Sequence, residues 1–230
     1  MHRERWRNGL AAVVVVGLAW CAVACNSSGS VASGSSGKLQ VVAAEDFWGS
    51  IAQQVGGDRV QVTSIITSPS TDPHGYEPTA SDARAMASAQ AAIVNGVGYD
   101  AWASQSLDAN PASGRVVLNV GTLVGVPTDG NPHRWYFPSD VYKVATTIMH
   151  DYQRLDPGHS AYYTAQQHRF ATVNMATYNR LRQQIRSRYS GVPVGYSESI
   201  FQGLGEDLGL KLLTPYSFAK AIAEGAEPTP

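Results

Sequence analysis

Cysteine is almost absent from this chain of 230 residues, and its two copies, Cys21 and Cys25, both lie near the N-terminus. Residues 26–230 contain none, which excludes an internal disulfide and a thiolate-bound metal in that stretch. Any metal site there must therefore use nitrogen and oxygen ligands.

Charge of either sign is also scarce. Charged residues make up 15% of the chain, and the formal net charge is −1. Three arginines and Glu4 fall within residues 1–24, so the rest of the chain carries 14 basic and 17 acidic residues, a net charge of −3. Because nucleic-acid binding requires a basic face, this composition argues against that function class.

The N-terminus has the organisation of a secretory signal. Arginines at positions 3, 5 and 7 precede an apolar run of 16 residues at 9–24, which suits a signal peptide and is short for a membrane span. Residues 22–25 (AVAC) resemble the lipobox of bacterial lipoproteins, with Ala22 where leucine is usual. We expect a signal peptide at 1–24 and lipidation of Cys25, which would anchor the protein on the extracytoplasmic face of the cell membrane. An ordinary cleavable signal is the alternative.

A polar segment follows the expected lipid anchor. Six serines and three glycines occur among residues 26–37, a composition that cannot bury enough apolar surface to fold. Residues 25–37 are therefore predicted to be a flexible tether. No later segment resembles a transmembrane helix.

From residue 38 the pattern alternates between strands and helices, which predicts an α/β fold with a parallel sheet. We assign residues 38–138 to an N-terminal α/β lobe. Its predicted strands are residues 39–44, 60–67, 91–95 and 116–120, and its predicted helices are residues 47–55, 81–88 and 100–107.

The chain then becomes helical over residues 139–190, with predicted helices at 139–154 and 160–190. The second helix would be about 46 Å long, which suits one long linking helix between two lobes. Residues 191–230 resume the α/β pattern, with strands at 192–196 and 211–213 and a helix near 200–208. About 40 residues are too few for an independent core. We expect that the second lobe is truncated; the alternative is a second lobe that does not copy the first.

Three candidate metal ligands follow predicted strands. His74 and His133 occur in matching frames, Asp72-Pro73-His74 and Asn131-Pro132-His133, in which proline stiffens the loop that presents each imidazole. Glu198 follows the first strand of the second lobe. Since ligands bind at the carboxyl ends of parallel strands, these side chains are expected to converge between the lobes. Two imidazoles and a carboxylate suit zinc, manganese or ferrous iron.

Several segments resemble a known family in the right order. Residues 71–78 (TDPHGYEP), 95–102 (NGVGYDAW) and 130–135 (GNPHRW), together with Ser197-Glu198, are similar to motifs of the metal-binding solute-binding lipoproteins of ABC importers for zinc, manganese or iron. The resemblance runs from about Leu39 to the end of the chain.

The resemblance implies two α/β lobes with parallel sheets, joined by one long helix, with the metal between them. It implies metal ligation by His74, His133 and Glu198, and a fourth ligand, an aspartate, beyond Pro230. It further implies a monomer, with no enzymatic activity, that delivers its divalent metal to an ABC permease. Glutamate at the third position resembles the manganese or iron type and histidine the zinc type, so the metal (zinc or manganese, with iron as a third candidate) stays open.

Two other functions fit parts of the sequence. A secreted metallohydrolase could use a two-histidine, one-carboxylate site, but Pro73 and Pro78 place His74 and Glu77 in a loop, unlike the helical motifs of metallopeptidases. Glu77 is instead expected to orient an imidazole or to cap the next helix. A lipid-anchored adhesin stabilised by metal is the third possibility. A lone loop histidine is most often a surface residue, and Glu198 could simply favour a helix N-terminus.

Overall fold

The computed structural model describes residues 37–228. The predicted signal peptide, Cys25 and nearly all of the predicted tether lie outside this range. Within it, no helix is both long and apolar enough to cross a membrane.

A four-stranded parallel sheet forms the centre of the structure. Its strands are β1 (Leu39–Glu45), β2 (Val60–Ile66), β3 (Ala91–Val94) and β4 (Val116–Asn119), in the spatial order β2-β1-β3-β4. The intervening helices are α1 (Asp46–Gly56), α2 (Ala80–Ser88), α3 (Ala101–Ala109) and the short α4 (Val120–Val124). All of the strands and helices predicted for the N-terminal lobe are present, with ends within two residues of the expected ones.

The central strand β1 is buried on both faces, as its nearly continuous apolar run predicts. Its side chains alternate between two cores, because successive residues of a strand point to opposite faces. One face packs on α1 and on two later helices, α5 (Pro138–Leu155) and α6 (Ser160–Arg169). The other face packs on α2 and α3.

The helical segment after the sheet is longer and less regular than one α-helix. Helix α6 passes into a π-helical turn at Phe170–Asn174, after which α7 (Ala176–Tyr189) continues. Phe170 is buried at the turn, whereas α7 has no buried residue along its length. The extent of the predicted linking helix is thus confirmed, but a wide turn interrupts its α-helical hydrogen bonding.

The rest of the chain forms a small parallel pair of strands, β5 (Pro193–Val194) and β6 (Lys211–Leu212), with helices α8 (Gln202–Asp207) and α9 (Tyr216–Ala223). Both strands are shorter than predicted. Leu208 and Ala219 are the buried hydrophobic residues that the structure describes after α7. The proposed domain boundaries at residues 138 and 190 stay predictions.

Candidate metal site

The two proline-preceded histidines are held by the same pattern of hydrogen bonds. The backbone N–H of His74 donates to Asp72 Oδ1 at 3.0 Å, and the His74 ring Nδ1 lies 3.0 Å from that oxygen. The backbone N–H of His133 donates to Asn131 Oδ1 at 3.0 Å, and its ring Nδ1 lies 2.9 Å away. In each frame the residue before the proline therefore fixes both the backbone and the ring of the histidine.

The chemistry of these acceptors assigns the tautomer of each ring. The Asn131 amide nitrogen donates to the Ser199 carbonyl at 2.8 Å and to Gln202 Oε1 at 3.0 Å, so Asn131 Oδ1 is the acceptor left for His133. The carboxylate of Asp72 can only accept. In the neutral form of each ring, Nδ1 therefore carries the proton and Nε2 has the free lone pair. Metal-binding histidines are oriented in this way by an outer hydrogen bond.

Glu198 faces the free nitrogen of His133. It immediately precedes a 3₁₀ turn at Ser199–Phe201, and its Oε1 lies 3.4 Å from His133 Nε2. The His133 side chain is 8% exposed and that of Glu198 is 34% exposed. Burial, followed by the repulsion that His74 exerts when its ring is protonated, lowers the pKa of His133 to about 4, so the His133 imidazole is neutral at physiological pH.

Tyr99 connects the two histidines through aromatic contacts. Its ring centroid lies 5.1 Å from that of His74 and 6.1 Å from that of His133, with both pairs edge-on. Trp135 packs edge-on to His133 at 5.3 Å and stacks on Phe47 at 3.9 Å. Between them, Tyr99 and Trp135 therefore pack against the imidazoles of both histidines.

The three predicted ligands are not equally close. His133 and Glu198 contact each other, whereas His74 stands beside Tyr99 with a side chain that is 40% exposed. Within residues 37–228, no three His, Cys, Asp or Glu side chains are arranged closely enough to hold one metal ion. Ligation by all three therefore stays a prediction.

The loop that carries Tyr99 is tied to the His133 frame. Asn95 Nδ2 donates to the Pro132 carbonyl at 2.9 Å, and Asn95 Oδ1 accepts from Trp48 Nε1 at 3.0 Å. The Asp100 carboxylate accepts from the backbone N–H groups of Asn95 at 2.6 Å and Gly96 at 2.8 Å. The motif at residues 95–102 thus closes a rigid loop beside the candidate site.

Other residues near the frames have structural contacts. Thr79 caps α2 in a capping box with Asp82, so the capping role considered for Glu77 belongs to Thr79, and Glu77 itself is exposed. Arg134 is buried and pairs with Asp140.

Sequence reasoning missed three residues that the structure places here: Asn131 as a tie to the second lobe, Ser199 as its acceptor, and Tyr99 between the histidines. Asn131 could have been found, since it matches Asp72 in the repeated frame. The contact of Ser199 has no local sequence signal.

Comparison with known proteins identifies the family. The family described as ZnuA, "Zinc-uptake complex component A periplasmic", matches residues 41–230. The chain belongs to this family. The manganese-binding lipoprotein MntA of Halalkalibacterium halodurans is 27% identical over 205 residues, covering 85% of this chain and 66% of that protein. The iron-binding protein YfeA of Yersinia pestis is 28% identical over 185 residues, covering 76% and 58%. The chain thus spans less than two thirds of the length of either relative.

Solved structures share the fold at low sequence identity. A manganese-bound mutant of the periplasmic metal-binding protein from Candidatus Liberibacter asiaticus superposes with a TM-score of 0.70 at 22% identity, covering 84% of this chain and 72% of that one. The metal-dependent lipoprotein YcdH of Bacillus subtilis gives a TM-score of 0.68 at 21% identity, covering 76% and 66%. The expected fold class is therefore confirmed.

Proposed function

We propose that this protein captures a divalent transition metal outside the cytoplasmic membrane and delivers it to the permease of an ABC importer. Membership of the metal-uptake family supports this function, as do relatives described as manganese- or iron-binding. Lipid anchoring through Cys25, a monomeric state and an extracytoplasmic location are parts of the same proposal.

The observation that carries the proposal is the pairing of His133 Nε2 with Glu198 Oε1 at 3.4 Å. Because Nδ1 holds the ring proton, both of these atoms offer lone pairs and neither offers a hydrogen. Two such atoms repel each other unless a cation lies between them. Nitrogen and oxygen ligands bound tetrahedrally to zinc at about 2.1 Å lie about 3.4 Å apart. This half of the site is therefore preorganised for a metal.

His74 supplies the other half in this proposal. Its Nε2 also has a free lone pair, and its side chain is the more exposed of the two histidines. We expect His74 to move from its position beside Tyr99 onto a metal already held by His133 and Glu198. The arriving ion would thereby order the loop at residues 72–76.

The cargo is zinc or manganese, with iron as a third candidate. Imidazole nitrogen favours zinc, whereas the carboxylate is acceptable to manganese and iron, and intrinsic affinity at such sites rises towards zinc. A permease would recognise the metal-loaded form.

Calorimetric titration of the purified chain with Zn²⁺ and with Mn²⁺ tests the proposal. Both H133A and E198A should weaken binding at least about 100-fold, beyond the roughly 10- to 100-fold cost of changing an outer-shell partner. Substitution H74A should weaken binding and abolish any metal-induced change in the loop. His168, which is exposed on α6, provides the matched control: H168A should bind metal like the wild type.

Wild-type affinity in H133A would refute the proposed site. Metal-dependent hydrolysis of ester or peptide substrates would instead favour the metallohydrolase, which no relative or structure named above is described as being. Metal binding that raises stability without dependence on His74 or His133 would favour a structural metal in an adhesin.

A further inference from the structure

A second acidic group is buried beside the candidate site and takes no part in the proposed ligation. Glu45 is the last residue of β1, and only 1% of it is exposed. Among the residues that the structure describes, no donor reaches either of its carboxylate oxygens. A buried ionised carboxylate without a donor is very costly, so the group requires another explanation.

Glu45 and Asp100 are both 1% exposed, and their carboxyl groups lie within hydrogen-bonding reach of each other. Both groups accept hydrogen bonds when ionised, so a bond between them requires a proton on one. Burial, followed by the charge of Asp100, raises the pKa of Glu45 well above its ordinary value, and Asp46 at the start of α1 acts in the same direction. Burial also raises the pKa of Asp100, but its bonds from Asn95 and Gly96 oppose that shift. The proton therefore belongs on Glu45.

We infer that Glu45 is a neutral carboxylic acid that donates a hydrogen bond to Asp100, and that this carboxyl pair positions the loop at residues 95–100 against both histidine frames. Glu45 is thus a positioning residue, separate from the ligands. The inference rests on the proposed function only for its consequence, the effect on metal affinity.

Hydrogen bonds and ring contacts connect Asp100, the partner of Glu45, to the candidate site. Asp100 holds the backbone N–H groups of Asn95 and Gly96, and Asn95 holds the Pro132 carbonyl next to His133. Tyr99, which directly precedes Asp100, packs against both imidazoles. Loss of the Glu45–Asp100 bond would leave Asp100 with a buried neighbour that cannot donate, and the loop that carries Tyr99 would lose one of its fixed ends.

The backbone conformation of the loop at residues 95–100 depends on the contacts that Asp100 makes with it. Gly96, Val97 and Gly98 have φ values of 71°, 56° and 77°. Val97 is a β-branched residue in the left-handed region, where the contacts of its Cβ with the backbone make the conformation strained. A strained loop keeps its conformation only when surrounding contacts hold it, and Asp100 supplies two of those contacts.

Two substitutions separate the effect of the hydrogen-bond donor at position 45 from the effect of side-chain size. In E45Q the amide keeps a hydrogen-bond donor but cannot ionise, and in E45M the apolar side chain keeps the bulk but has no donor. We expect E45Q to bind Zn²⁺ with nearly wild-type affinity, and E45M to bind it roughly 10- to 100-fold more weakly, the cost of an outer-shell change. Calorimetric titration of the three chains measures this.

Infrared spectroscopy of the metal-free protein tests the protonation state independently. At neutral pH the carbonyl band of a protonated carboxylic acid should be present in the wild type and absent in E45Q. This arm needs neither metal nor a folded E45M variant, so it separates failure of this inference from failure of the proposed function, which H133A tests.

Three results would overturn the inference. The first is a wild-type spectrum without the acid band, or an E45Q spectrum that keeps it. The second is wild-type metal affinity in E45M. The third is an equal loss of affinity in E45Q and E45M, which would mean that the ionised form of Glu45 is the one required.

Discussion

Replacing Asn131 with alanine should weaken both the fold and metal binding at the candidate site. The Asn131 side chain makes four hydrogen bonds in a buried position, two to His133 and one each to the Ser199 carbonyl and Gln202 Oε1. At about 1 kcal/mol for each net bond, and allowing water to reach the partly exposed Gln202, the loss comes to about 3 kcal/mol. Urea unfolding of N131A against the wild type measures this, and calorimetry should show metal affinity lower by roughly 10- to 100-fold.

Two further variants sharpen the result. N131D keeps the acceptor for His133 but turns a carboxylate oxygen towards two other acceptors, so it should lose stability like N131A while retaining more metal affinity. N174A removes an asparagine whose side chain makes one exposed hydrogen bond, to Gln54, and should change stability by less than about 0.5 kcal/mol. The reasoning fails if N131A unfolds within 1 kcal/mol of the wild type, on the order of one net bond, and binds metal equally well.

Three other substitutions have defined outcomes. Because the pKa of Glu45 is raised, its stabilising contribution is complete below pH 4.5 and is lost as the pH rises. The free energy of unfolding of the wild type should therefore fall relative to that of E45Q between pH 4.5 and neutrality. A constant difference between the two free energies over this range, measured by urea unfolding, would contradict this. R134A leaves Asp140 buried and unpaired, which should lower the free energy of unfolding by about 3 kcal/mol, whereas replacing both residues with apolar ones should lower it by less. An equal fall in melting temperature for the single and the double variant would contradict this. In G96A the new Cβ would clash with Asn119 Oδ1 at a φ of 71°, so chemical denaturation should show a loss of about 2 kcal/mol, and an unchanged midpoint would refute the strain.

Local patterns were sufficient to predict the N-terminal sheet. The apolar run at β1 indicates a strand buried on both faces, and the polar breaks between runs place α1, α2 and α3 within two residues of their ends. These features depend on the periodicity of neighbouring residues, which the sequence records directly.

Features that depend on distant contacts could not be predicted in this way. The π-helical turn at Phe170–Asn174 lies in a stretch with ordinary helical composition, where burial of Phe170 accompanies the change in hydrogen bonding. The bond from Asn131 to the Ser199 carbonyl spans 68 residues. Glu45 looks like the polar end of a strand until the loop at residues 95–100 is packed over it.

The candidate site was predicted only in part, because some of its features are local in sequence and others are not. The matching frames around His74 and His133 are local and were found from the sequence. Their difference in exposure and in partners is not local: the structure joins the buried His133 to Glu198, whereas the more exposed His74 packs beside Tyr99.

The choice of Asp72 in one frame and Asn131 in the other follows from the cost of burying charge. The Asp72 side chain is 74% exposed, so its carboxylate stays hydrated while it accepts from His74, and those hydrogen bonds lower its pKa. Asn131 is 7% exposed, where an ionised carboxylate would lose its hydration. A neutral amide avoids that cost, and its two N–H groups reach the Ser199 carbonyl and Gln202. One chemical pattern therefore produces an exposed, adjustable imidazole and a buried, fixed one, which is the difference that the proposed capture requires if His133 and Glu198 hold the ion first and His74 then moves onto it.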